Sequence, residues 1–280
     1  KEGITMALAY QIIAVVAILL IGYFVFKIDP LHVTGEKIAI IAMFIALSVA
    51  LQFFSLMIPL FGFPSMRIGF SQLPLMVIGV MFGPAWAFIS GIVQDFLGLI
   101  VTPTGFPFFG FTLNKIIIGL IPALLFSKKI KWTPRVAYIV SEGLMLSFLV
   151  GALVYLWVTP SIVTNGDVIE ITTTIKLIFS AGSIVMIGAM MFFLNILTKK
   201  YKKYEYDFSI SIWAMSVVLV EVVVQLILTP LWLAIMYDIP IWISFLLRVV
   251  KATIMVPFTI IIGYGILIII TRLRVSNRKA

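Results

Sequence analysis

Asp95, in the stretch SGIVQDFLGLI, is the only charged residue between Arg67 and Lys115. It sits in an apolar run, where an ionisable side chain is costly and faces either a cavity or a partner. Two chemistries fit it: an ion-pair partner for Lys115 or Arg248, or an acceptor for the N–H groups of a ligand. Arg248 and Lys251, in SFLLRVVKATIMVPF, are spaced i, i+3, so a helix presents both on one face. They read as cations snorkelling to headgroups or as an anion site on a cavity. Arg67, in FPSMRIGFSQLP, and Lys115, just after PTGFPFFGFTL, complete a set of four cations suited to a pocket for an acidic ligand. The segment PTGFPFFGFTL supplies Phe106, Phe108, Phe109 and Phe111, with Gly105 and Gly110 as expected hinges. Such a loop can stack on a planar ring and close over it; an interfacial aromatic belt is the alternative. Glu142 and Glu221 also lie in apolar runs, and Glu221 and Gln225 share a face at i, i+4, where they would pair as polar glue.

Those residues need elements to hold them, and the composition says which. The 280 residues are 62% hydrophobic and 11% charged, with mean hydropathy +1.22; a soluble domain carries about 25% charged residues. Uncharged stretches such as 7–26 and 177–198 are long enough to cross a hydrocarbon core of roughly 30 Å as helices. The chain therefore reads as an all-α polytopic membrane protein. Of its 20 Lys and Arg, 14 lie near run ends or in the tail: Lys27 and Lys37, the cluster 128–135, the cluster 199–203, and 272–279. The positive-inside rule places them, and the C-terminus, in the cytoplasm. The net charge of +9 thus reports topology and gives no case for a nucleic-acid partner. With no Cys, there are no disulfides and no thiolate chemistry. There is no GxxxxGK[ST] for ATP, the single His32 lies in a loop, and no HExxH occurs. No cofactor, metal site or catalytic set is expected.

Apolar runs fall at about 6–27, 38–60, 72–82, 85–101, 112–127, 136–159, 176–198, 209–236 and 241–271, and every basic cluster then lies on one side. The first reads as a retained helix, since a signal-peptide apolar region would be shorter and would precede a small-residue cleavage site. Runs 72–82 and 85–101 are parted only by Gly83-Pro84, a turn pair; short helices at membrane depth belong inside protein or against a cavity. Ala42, Ala46 and Ala50 form a small-residue stripe that permits close helix packing. No internal repeat is evident, which counts against an inverted-repeat carrier.

The stretches PSMRIGFSQLPLMVIGVMFGP (64–84), GIVQDFLGLIVTPTGFPFFGFTL (91–113) and PLWLAIMYDIPIWISFLLRVVKATIMVPF (230–258) resemble the substrate-binding S components of energy-coupling-factor vitamin transporters, most closely the folate-specific type. The resemblance covers about 38–127 and 209–271. It implies a six-helix core with a vitamin pocket near the outer face, closed by segments 61–71 and 102–111. It also implies that Arg67, Phe70, Gln72, Asp95, Thr104, Phe108, Phe109, Phe111, Thr112, Lys115, Trp232, Arg248 and Lys251 bind the ligand. The implied partners are a transmembrane coupling protein docked on Ala42, Ala46 and Ala50, and two ATPase subunits. The chain departs from the family pattern at Asn114, at Thr229-Pro230, at Asp238 and at Ala252. The implied organisation is an additional N-terminal helix (1–36), core helices 1–4 (37–135), an inserted helix pair (136–208), and core helices 5–6 with a basic tail (209–280), three helices beyond the core.

Three functions follow as expectations. The leading one is capture of folate or a reduced folate, whose flat rings and two carboxylates match the aromatic walls and cations. The others are the same fold with another flat vitamin, and a self-contained carrier. Four cations disfavour a cationic ligand such as thiamine. An intramembrane enzyme would have only Asp95, Glu142 and Glu221 for acid–base chemistry.

Overall fold

The computed structural model describes every residue except 1, 61–62, 104–106, 128–131, 159–160, 165–166, 171, 202–208, 238, 240 and 278–280. Thr104, Gly105 and Phe106 therefore lie outside the described residues, as do Lys128, Lys129, Lys131, Lys202, Lys203, Asp238, Arg278 and Lys279.

The chain is a multi-pass helical membrane protein. In order it forms α1 (Glu2–Ile28), α2 (Gly35–Phe53), the hairpin β1 (Leu56–Leu60) and β2 (Phe63–Ile68), α3 (Gln72–Phe82), α4 (Pro84–Val101), α5 (Phe109–Leu125) and α6 (Pro134–Val158). A second hairpin, β3 (Ser161–Thr164) and β4 (Asp167–Glu170), leads to α7 (Thr173–Tyr201). Then come α8 (Ile210–Val220), a π-helical segment (Glu221–Leu228), α9 (Thr229–Tyr237) and α10 (Ile241–Asn277). From Ile210 to Tyr237 the helix is continuous, so the described residues form nine helical runs, six of them long and apolar enough to cross a membrane.

The second run is shorter than expected. α2 stops at Phe53, and the apolar residues after it pair in a hairpin, Leu56 opposite Ile68 and Met57 opposite Arg67, with an irregularity between Ile58 and Pro59. Pro59 and Pro64 explain the change, because proline removes a ladder donor and pushes its predecessor toward extended backbone. This hairpin carries Arg67 to the end of the bundle where α2 finishes.

At 11 residues, α3 is too short to span. It is buried along most of its length, from Gln72 to Gly79, as a short helix surrounded by protein should be. The turn to α4 depends on Gly83, whose φ of +88° is the left-handed region, and Pro84 then opens α4 at a position where its missing N–H costs nothing. Gly79 lies so close to the Gly119 carbonyl that no side chain fits, which lets α3 and α5 pack backbone to backbone.

The π segment also has a local cause. Pro230 has no N–H to donate and its ring crowds the carbonyl four residues back. The turn widens instead, and the Thr229 hydroxyl donates to the Val224 carbonyl at 2.6 Å. Widening of this kind is frequent at functional sites. Here it aims Glu221 and Gln225 inward.

Ala42, Ala46 and Ala50 are all exposed along α2, as are Met43 and Leu47, so that helix leaves one face unpartnered within the chain.

Candidate functional site

One end of the bundle is fixed by side-chain hydrogen bonds. Gln52, near the end of α2, donates to Thr102 just past α4 at 2.9 Å. Gln94 of α4 donates back to Gln52 Oε1 at 2.9 Å, and Lys115 Nζ of α5 reaches the same oxygen at 3.3 Å. The C-terminal ends of α2 and α4 therefore meet the N-terminal part of α5, beside the β1–β2 hairpin.

Between them lies a partly open cavity of about 190 Å³. Its wall includes Arg67, Gln72, Asp95, Phe108, Phe111, Lys115, Arg248 and Lys251. It also includes Gln52, Asn114, Gln225, Thr229 and Tyr237, none of which was expected to bind the ligand. Four cations and one carboxylate thus share one cavity. Arg67 is half-buried, and burial lowers its pKa from the ordinary value.

Arg248 and Lys251 are 2% and 7% exposed, so they do not snorkel. Arg248 Nη1 and Lys251 Nζ donate to Gln225 Oε1 at 3.0 and 3.3 Å, and Arg248 Nε donates to Ser244 at 3.2 Å. Gln225 in turn donates to Gln72 at 3.3 Å, tying the π segment to α3. The expected pairing of Glu221 with Gln225 is therefore replaced, because the π turn points Gln225 at the cations. Glu221 is 3% exposed, and neither carboxylate oxygen has a hydrogen-bond partner among the described residues. It faces a separate apolar cavity of about 30 Å³ lined from α6, α7 and α10.

Asp95 is buried and accepts a hydrogen bond from Thr112 Oγ1 at 2.6 Å. Lys115 lines the same cavity. The carboxylate is thus held by α5 at one oxygen while it lines the cavity.

From Phe109 onward the aromatic segment is helix, while the expected hinge Gly105 lies outside the described residues. α5 begins at Phe109, so Gly110 and Phe111 lie in its first turn. Gly110 is buried where a side chain would collide with Phe108 and Trp232, and its role is close packing rather than hinging. Phe108 packs edge-on against Phe111 and Trp232, at centroid distances of 5.8 and 5.5 Å. Trp232 Nε1 donates to Asn114 Oδ1 at 3.1 Å, and Asn114 Nδ2 donates to Thr229 at 3.1 Å. Phe70, Phe109, Thr112 and Trp232 stand beside the cavity rather than on its wall, Phe109 being the exposed one.

The cavity wall thus combines cations, one carboxylate, aromatic edges and several amides, groups able to hold polar and apolar parts of one small molecule. No protein-family model matches the chain. The folate transporter FolT of Clostridium novyi (strain NT) is 41% identical over 66 residues, 24% of this chain and 38% of that relative's length. A solved structure described as the crystal structure of FolT bound with folic acid has a TM-score of 0.47 to this chain at 21% identity, covering 82% of this chain and 93% of that one. Over the shared 66-residue segment the chain is homologous to a folate transporter.

Proposed function

We propose that this chain is the substrate-binding subunit of an energy-coupling-factor importer, capturing folate or a reduced folate and performing no catalysis itself. The observation that carries this reading is the convergence of Arg67, Lys115, Arg248 and Lys251 with Asp95, Phe108 and Phe111 on one cavity. A folate carries a flat pterin with N–H donors, an aminobenzoate ring and two carboxylates. Asp95 suits the N–H groups, Phe108 and Phe111 suit the rings, and the buried pair Arg248 and Lys251 suits the acidic tail. The 41% match to a folate transporter supports the same ligand.

In this reading α2 to α5 and the run from α8 to α10 form the six-helix core, while α1, α6 and α7 are additional. The cavity end faces outward and the C-terminus is cytoplasmic. The exposed face of Ala42, Ala46 and Ala50 receives the transmembrane coupling protein, to which two ATPase subunits supply energy. Uptake of labelled folic acid into cells tests it: accumulation should require this chain together with the coupling protein and both ATPases. Uptake by this chain alone, without ATP, would assign it as a carrier.

A further inference from the structure

The first helix makes a polar contact far along the chain. Gln11 is the only amide in the apolar run 7–26, and an amide facing lipid is costly unless its donor and acceptor are both used. Both are used. Gln11 Nε2 donates to the Pro107 carbonyl at 3.0 Å, and its Oε1 accepts from the Phe109 N–H at 2.9 Å. The two peptide groups so held flank Phe108, which is 4% exposed and lines the cavity.

Helix α5 needs this contact. Its cap position is Phe108, which has no side-chain acceptor for the free N–H groups of the first turn. Gln11 supplies one from another helix. The rest of α1 is seated firmly enough to make that contact a fixed point. Tyr10, Ala17, Ile18 and Ile21 pack against the cluster of Phe108, Leu113 and Trp232. Beyond the other end of α1, Asp29 Oδ2 accepts from the Ala85 N–H at the start of α4, where Gly83 likewise offers no capping side chain.

The cavity of about 190 Å³ is smaller than the roughly 300 Å³ at which pockets for drug-sized ligands begin. A two-ring ligand therefore needs part of that wall to yield, and an outward motion of the segment bearing Phe108 would separate Pro107 and Phe109 from Gln11. We propose that Gln11 is a latch, a positioning residue through which α1 holds the aromatic segment shut and sets the rates of ligand entry and release. The ligand's identity rests on the function proposed above, but the latch is a property of the chain itself.

The test uses the intact chain in lipid nanodiscs. Amide hydrogen exchange at residues 108–111, measured without added folic acid, should rise roughly tenfold in Gln11→Met, the loss expected for one or two hydrogen bonds. Exchange in α3 should stay at the wild-type rate. Gln11→Asn keeps the amide but is too short to span both groups, and should behave like Gln11→Met. Stopped-flow dissociation of folic acid should accelerate by about three- to tenfold in both variants, with association faster as well. Unchanged exchange at 108–111, or a rise shared by α3, overturns the latch. Folic acid dissociation at the wild-type rate in both variants also overturns it. If the wild-type chain binds no folic acid while the local exchange rises as expected, the folate reading fails and Gln11 still holds the segment shut.

Discussion

The hydroxyl of Thr112 on α5 donates to Oδ2 of Asp95 on α4 at 2.6 Å, fixing a buried carboxylate at the edge of the cavity. One oxygen is held by the protein, and in the proposed function the other receives a ligand's N–H donors. Asp95→Asn keeps the shape and converts an acceptor into a donor. Folic acid affinity should fall by about ten- to a hundredfold, measured by calorimetry, while Thr112→Val should fall less. An unchanged affinity in Asp95→Asn would remove Asp95 from ligand binding.

Arg248 and Lys251 share Gln225 Oε1, so both are held before any ligand arrives. If they receive the acidic tail, Arg248→Met should weaken folic acid by roughly ten- to a hundredfold and leave a pterin without the glutamate nearly unaffected. Parallel titrations of the two ligands check this. Equal losses would place the cations elsewhere on the ligand.

Glu221 lies one turn before Gln225, on which those cations converge, with no hydrogen-bond partner among the described residues; as a carboxylate it would offset their charge. Glu221→Gln should raise the positive potential in the cavity, tightening folic acid roughly three- to tenfold. The same change should lower the thermal midpoint, because two buried cations lose their counter-charge. Weaker folic acid binding in a folded variant would contradict this electrostatic role.

Asp29 accepts the Ala85 N–H at 3.2 Å and so caps α4 from beyond α1. Asp29→Ala should destabilise the chain by about 1 kcal/mol, and Gly83→Ala by a similar or larger amount because φ there is +88°. Thermal melts in detergent measure both. Folic acid affinity should be unchanged in Asp29→Ala, since Asp29 lies away from the cavity wall.

The exposed face of α2 makes a different prediction. Ala46→Leu should leave folic acid binding by the purified chain intact and abolish uptake in cells that hold the coupling protein and ATPases. Loss of binding itself would show that the stripe packs within the chain.

Charges and breakers were the legible part of the sequence. A lone carboxylate and two i, i+3 cations in apolar runs are costly facing lipid, and Asp95, Arg248 and Lys251 do lie on the cavity wall; Gln72 was legible only through the family resemblance. The short helix before Gly83-Pro84 was legible from the same kind of signal. The amides were less so: Gln11 and Gln52 drew no reading, Gln225 was paired with Glu221 instead of the cations, and Asn114 stood only as a departure from the family pattern. Their common signal is a polar side chain in a run otherwise able to dissolve in lipid. Asn114 and Thr229 are both departures from the family pattern, yet they bond to each other across two helices. The early end of α2 was hidden because an apolar run of this length fits strand or helix equally, leaving Pro59 as the clue.

The measurement that bears most directly on the central claim is equilibrium binding of folic acid to the purified chain, followed by the fluorescence of Trp232 and its fellow tryptophans and confirmed by calorimetry. The account predicts saturable one-to-one binding that Arg248→Met weakens. A folded chain that shows no saturable binding of folic acid would contradict it.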